Sequence, residues 1–93
     1  MKHEKLSNFT IQMTEKLELP TDVMLGAVLL HVTGRSQIEI ENFKGLLSFT
    51  PDLIVLNIQH GKVEIHGKAL DIRYYSNDEI KITGTINSIN YND

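Results

Sequence analysis

The stretch Gln37–Ile72, QIEIENFKGLLSFTPDLIVLNIQHGKVEIHGKALDI, decides the fold. Ile38 and Ile40 alternate with Glu39 and Glu41, the period-two pattern of a half-buried strand. Asn42-Phe43-Lys44-Gly45 reverses the chain, and Leu46 to Thr50 resumes an apolar run. Pro51-Asp52 punctuates it. Leu53 to Ile58 is nearly continuous in aliphatic side chains, and Gln59-His60-Gly61-Lys62 turns once more. Val63, Ile65, Leu70 and Ile72 carry the alternation on past Gly67. These residues predict a ladder of short strands to which the rest of the chain attaches.

Working outward, Ala27 to Thr33 reads as the first strand and closes at Gly34-Arg35. Downstream, Arg73-Tyr74-Tyr75 extends the Leu70 strand to the turn cluster Ser76-Asn77-Asp78. Glu79 to Asn87 alternates again, with Ile80, Ile82 and Ile86 on one face and Lys81 and Thr83 on the other. Gly84 falls on the inward face and marks a bulge or a close crossing. Ile89 and Tyr91 finish the chain against the sheet edge. Six or seven strands at this spacing predict a mainly β fold, an antiparallel meander curled into a barrel or small sandwich. A short parallel β-solenoid is the alternative architecture, although no repeat of fixed length is visible.

Lys5 to Leu19 has a different period. Leu6, Phe9, Met13 and Leu17 recur at spacings of three and four and form one stripe of an amphipathic helix. Pro20 ends it, because the residue before a proline is disfavoured in helical geometry. The division is therefore a helix over 1–20 and a β domain over 21–93, acting as a single folding unit. The stripe is expected to cover one face of the sheet, with a partner-binding or membrane-surface helix as the other reading.

Ninety-three residues sit near the lower limit for one self-sufficient core, and the chain has no cysteine to staple it. Oligomerisation is the remaining way to bury more surface, so a homo-oligomer is expected. The absence of cysteine also fits a reducing cytosol. Twelve acidic against nine basic residues give a net charge of −3, and the bases are scattered. That distribution argues against nucleic-acid binding, which needs a basic face to release counterions from phosphates. Val23 to Val32, the longest apolar run, is far short of the roughly 20 residues of a membrane span. No hydrophobic signal core follows Met-Lys-His-Glu-Lys, so the chain is expected in the cytoplasm.

No catalytic or cofactor chemistry stands out. Glu64 and His66 share a strand face near His60, but no recognised metal-ligand spacing accompanies them, and no metal is expected. None of Ser36, Ser48, Ser76 or Ser88 sits in a nucleophile elbow, and a cysteine nucleophile is excluded. Glu39, Glu41, Glu64 and Asp71 fit solvated strand faces better than a paired acid and base. Gly61-Lys62 and Gly67-Lys68 belong to no phosphate-binding loop. The expectation is no enzyme. Asn42, Phe43, Lys44 and Gly45 are the candidate interaction residues, with Phe43 either exposed at the tip of the turn or folded back onto the sheet edge.

Three stretches, taken together and in order, resemble a known family. They are Glu18-Leu19-Pro20-Thr21-Asp22-Val23, Ile40-Glu41-Asn42-Phe43-Lys44-Gly45-Leu46-Leu47, and Gly61-Lys62-Val63-Glu64-Ile65-His66-Gly67-Lys68 continuing to Gly84-Thr85-Ile86 and Tyr91. Over roughly Leu17 to Tyr91 the chain resembles the YabP/YqfC family of bacterial sporulation proteins, more closely the YqfC branch. It departs from the family pattern before the first strand, where Gly26-Ala27-Val28-Leu29-Leu30-His31-Val32-Thr33-Gly34 replaces a proline followed by I-T-x-x-G. The resemblance implies a small protein of the mother cell in endospore-forming bacteria, without catalytic activity or cofactor. It also implies a companion role beside a sporulation membrane protein, and it supplies no active-site residues. The reading from another class is a small-ligand- or carbohydrate-binding β-barrel. A core filled by Ile38, Ile40, Leu47, Val55, Ile65 and Ile82 would exclude it. A hydrolase comes third, for want of a nucleophile–base pair.

Overall fold

Each alternating stretch becomes a strand in the computed structural model, which describes residues 26–93. The expected helix over Lys5 to Leu19 lies outside the described residues. The strands are β1 (Leu29–Thr33), β2 (Gln37–Glu41), β3 (Gly45–Thr50), β4 (Leu53–Ile58), β5 (Gly61–Tyr75) and β6 (Glu79–Asn92). The first strand starts two residues later than the sequence suggests, because the Ala27 carbonyl is taken by the Asn42 side-chain amide (3.0 Å). The last two apolar pairs, Ile80/Ile82 and Ile89/Tyr91, belong to one uninterrupted strand rather than to a strand and a tail.

All pairings are antiparallel, which removes the solenoid. The strands form one six-stranded sheet in the order β1-β2-β6-β5-β4-β3. The expected meander therefore holds only for β3 to β6. The β1–β2 hairpin instead docks on β6, with Ile38 opposite Ile82 and Ile40 opposite Ile80. The sheet is not closed, and it is not two separate sheets, so neither the barrel nor the sandwich is the right description.

A single sheet encloses a core here because it is folded over. β5 and β6 have 15 and 14 residues, and a straight strand of that length would span about 46–50 Å. The Asn42 N–H donates to Asp78 O (2.7 Å) at the β5–β6 turn, and the Lys44 N–H donates to Asn57 O (2.7 Å) on β4. Asn57 lies opposite Lys62, and Lys62 opposite Asn92, at the far end of the same long hairpin. Two residues reach at most about 7 Å. The two ends of the β5–β6 hairpin are thus brought together, and the hairpin is creased between them.

The crease sits at Gly67 and Gly84. The ladder shifts register at His66/Gly67 and Lys68/Asp71, and Ala69 adopts a left-handed φ of 53°. A side chain at Gly67 would run into the Thr85 carbonyl, and one at Gly84 (φ +132°) into that of Ala69. Close backbone crossing is thus the reason for glycine at 84, as its inward position suggested. The hairpin tips complete the backbone hydrogen bonding beside the crease. Gly67 and Leu70 donate to Asp52 O and Pro51 O, and Gly84 and Ile86 donate to Ser36 O and Arg35 O. Arg35 adds its own guanidinium, reaching Ile86 O (3.3 Å) and Asn87 Oδ1 (3.2 Å).

Folding over places the inward rows of both halves in one core. Ile38, Ile40, Ile80 and Ile82 meet Ile54, Leu56, Val63 and Ile65, all essentially inaccessible, with Phe43 and Leu70 beside them. Two residues expected in this core are elsewhere. Leu47 is exposed, because a bulge between Leu46 and Ser48 breaks the alternation of β3. Val55 stands opposite Glu64 on the outer face, half-buried. The ligand-binding barrel loses its premise, since an open sheet has no barrel mouth and its inward face is packed on itself.

Candidate interaction surface

The turn between β2 and β3 is where the sequence places its interaction candidates, and the fold gives its four residues different tasks. Asn42 adopts a left-handed φ of 68°, which asparagine tolerates better than most residues. Its backbone N–H bonds Asp78 O and its side chain bonds Ala27 O (3.0 Å). Phe43 is 3% exposed, with its ring centroid 5.7 Å from that of Tyr75. The exposed-tip expectation therefore gives way to the other reading: the ring folds back, and indeed inserts where the two ends of the creased hairpin meet. Lys44 is exposed, and Gly45 opens β3 opposite Asn57. Only Lys44 offers its whole side chain to a partner.

Of the exposed large hydrophobic side chains, Tyr74, Tyr75 and Tyr91 lie on β5 and β6, and the other four lie on the two outermost strands. Leu29 (39%) and Val32 (48%) are on β1, and Leu47 (52%) and Phe49 (46%) are on β3. Each of these strands has a neighbour on one side only among the described residues. Neither LLHVT nor GLLSFT contains a charge or a proline. Edge strands normally carry such residues to block pairing with other chains, because their free N–H and C=O groups template a further strand. The signal was present in the sequence as two short uncharged runs. Nothing local says that they end up at the edges, since edge position depends on which strands pair.

Several polar groups on the outer faces are paired with one another. Glu64 and His66 do meet, as alternation requires: His66 Nε2 lies 2.9 Å from Glu64 Oε1. Asn92 Nδ2 donates to the other oxygen of Glu64 (2.6 Å). His60 is exposed in the β4–β5 turn. Among the described residues, no three His, Asp or Glu side chains are arranged to hold a metal ion. On the opposite half, Glu41 stands directly across from Glu79, and Glu39 across from Lys81. Tyr74 Oη donates to Glu79 Oε1 (3.1 Å). That bond raises the Tyr74 pKa above the usual tyrosine value, helped by desolvation and by the charges of Glu79, Glu39 and Glu41. These groups lie on open sheet faces.

Among the described residues no helix is long and apolar enough to cross a membrane. The model of the YabP family matches residues 26–93, the whole of the folded-over sheet. The chain is also 37% identical over 79 residues to the uncharacterized protein YqfC of Bacillus subtilis (strain 168), covering 85% of each chain. With this extent of match, and with the ordered stretches around Asn42–Gly45 and Gly61–Lys68 inside it, the chain belongs to the YabP family.

Proposed function

We propose that the protein is a non-enzymatic interaction module of spore formation, working in the mother-cell cytoplasm beside a sporulation membrane protein and as a homo-oligomer. Family membership supports the setting, on the resemblance set out above. The observation that carries the mode of action is the pair of uncharged edge strands, each showing two large half-exposed apolar side chains. An edge of this kind binds by adding a strand: main-chain hydrogen bonds supply affinity, and the apolar side chains supply selectivity. Five outer polar groups, His66, Glu64, Asn92, Tyr74 and Glu79, are engaged in hydrogen bonds with one another.

The test is the count of heat-resistant spores from the host with this gene cleanly deleted, complemented by the intact gene or by a Val32→Lys copy. Val32 is half-exposed on β1, so a lysine there leaves the core intact but guards the edge. A large loss on deletion is expected, restored by the intact gene and not by the Val32→Lys copy, although the latter folds. Undiminished spores after deletion would refute the sporulation role. Full rescue by Val32→Lys would refute the use of β1 as a binding edge.

A further inference from the structure

We propose that the last part of β6, Ser88–Asn92, is the surface through which two copies of the chain pair, strand against strand, about a two-fold axis at Asn90. This inference rests on the homo-oligomer of the preceding reading and deepens it, giving it a surface distinct from β1 and β3.

The crease creates this edge. β6 lies inside the strand order, yet β2 accompanies it only from Glu79 to Thr83. The tip of the β1–β2 hairpin then serves Gly84 and Ile86 through Ser36 O and Arg35 O. Beyond that tip, Ser88–Asn92 pairs with Lys62–His66 of β5 on one side and with no described strand on the other. The ladder is regular over these residues, and none of them is charged or a proline. β5 has a matching half-edge past the end of its pairing with β4, but that one carries Asp71 and Arg73, which are ion-paired. Charges of this kind are the usual guard of an edge. β3 is bulged between Leu46 and Ser48, which blunts an edge as well.

The open segment of β6 is complementary to itself. A two-fold axis normal to the sheet keeps inward side chains with inward ones. Placed at Asn90, it pairs Ser88 with Asn92, Ile89 with Tyr91, and Asn90 with its own copy. Ile89 and Tyr91 stand opposite the buried Ile65 and Val63, so both belong to the inward face. Tyr91 is nonetheless 62% exposed, the most open large apolar side chain among the described residues. Across the joint it lies against Ile89 of the second copy, an aromatic and β-branched pair of the kind that stabilises sheets. On the outer face the two Asn90 amides meet, each able to donate and to accept.

Charge favours a second copy as the occupant. One step past the ladder, Asp93 of one copy falls beside Asn87 of the other. Arg35 is already there, donating to Asn87 Oδ1 (3.2 Å) and to Ile86 O (3.3 Å). Those bonds use only two of the five N–H groups of a guanidinium. The two-fold repeats the contact, so each end of the joint sets an arginine against a carboxylate. The equivalent pairing of β1 about His31 joins LLHVT to itself, a strand without charge, and brings no such contact.

The chain has no cysteine, so single cysteines report the pairing. Directly opposite Cα atoms lie about 4.5 or 5.5 Å apart according to the phase of the ladder, and a disulfide accepts both. Full-length Asn90→Cys is oxidised mildly at high concentration beside His31→Cys on β1 and Phe49→Cys on β3, all exposed positions. Non-reducing electrophoresis follows the covalent dimer. Asn90→Cys is expected to cross-link about tenfold faster than either control, since a docked partner presents its thiol at a high effective concentration. Adding Asp93→Lys, which sets a lysine against Arg35, is expected to return it to the control rate. A faster dimer from His31→Cys or Phe49→Cys would overturn the proposal in favour of that edge, and equal rates at all three would reduce it to chance collision. An unchanged rate with Asp93→Lys would overturn the register. Sedimentation of the chain without cysteine checks the same contact: a dimer is expected, dissociated by Asp93→Lys, and a monomer at the same concentration would overturn the pairing. Adding Val32→Lys is expected to leave the Asn90→Cys rate unchanged, so this surface and the proposed use of β1 stand or fall separately.

Discussion

Gly84 and Ala69 meet across the crease of the long hairpin: the Ala69 carbonyl occupies the place where a Cβ on residue 84 would stand, 2.6 Å away. Both residues have positive φ, +132° and 53°. The fold-over that builds the core is creased at this approach, where the β5–β6 ladder shifts register between Lys68 and Asp71. Gly84→Ala is therefore expected to destabilise the protein by about 2–4 kcal/mol, adding a backbone clash to an unfavourable φ. Gly34 provides the control, since its φ is also positive (+54°) but nothing lies within 4 Å. Gly34→Ala is expected to cost only about 1–2 kcal/mol. Urea unfolding of the two variants checks the difference; equal costs would mean that crowding at the crease contributes nothing.

Phe43 is a core residue in a turn. Phe43→Ala is expected to cost about 3–5 kcal/mol, the range for emptying a buried aromatic site. A chain of this size can be largely unfolded by such a loss. Lys44→Ala, one residue on and exposed, is expected to stay within about 0.5 kcal/mol of the parent. Thermal unfolding followed by circular dichroism distinguishes the two. A defect of Phe43→Ala in spores would then report folding rather than lost recognition.

Asn42 serves both the turn and the entry of β1. Asn42→Gly keeps the left-handed backbone available but loses the amide bonded to Ala27 O, and is expected to cost about 1 kcal/mol. Asn42→Ala loses the bond and strains the backbone, for a total of about 2–3 kcal/mol. Chemical denaturation should rank them in that order, and the reverse order would show that the backbone conformation carries no cost.

Tyr74 carries the pH prediction. Its pKa is raised from the model-peptide value of 10.0, chiefly by donation to Glu79. A group whose folded pKa lies above its unfolded pKa adds stability below the unfolded value, and that stability is lost as pH rises through the folded value. The Tyr74–Glu79 contact is thus expected to be fully present at neutral pH and to weaken only above pH 10. Glu79→Gln should lower the Tyr74 pKa toward that of an ordinary tyrosine. Ultraviolet titration in a background with Tyr75→Phe and Tyr91→Phe reads Tyr74 alone, and an unchanged midpoint would show that Glu79 does not hold the proton.

The alternation of residues by itself determined that Gln37–Glu41, Leu46–Thr50, Leu53–Ile58 and the stretches after Gly61 and Glu79 are strands. It also showed that Ile38, Ile40, Ile65 and Ile82 point inward and that Gly84 marks a bulge or a close crossing, because side-chain period and glycine placement are local properties of the backbone. Ordered motifs in the same residues pointed to the family. Tertiary structure alone decided the neighbours. Alternation says which residues share a face and is silent on which strand lies beside which, so the pairing of β2 with β6 and the edge positions of β1 and β3 had no local signature. Leu47 and Val55 lie outside the core for two reasons: a bulge displaced one, and the other lies in an apolar run whose facing the pairing with β5 decides, opposite Glu64. Phe43 moved in because the two ends of a creased hairpin converge on its turn. That convergence is made through Asn42 to Asp78 and Lys44 to Asn57, contacts between different hairpins over which sequence pattern carries no geometry.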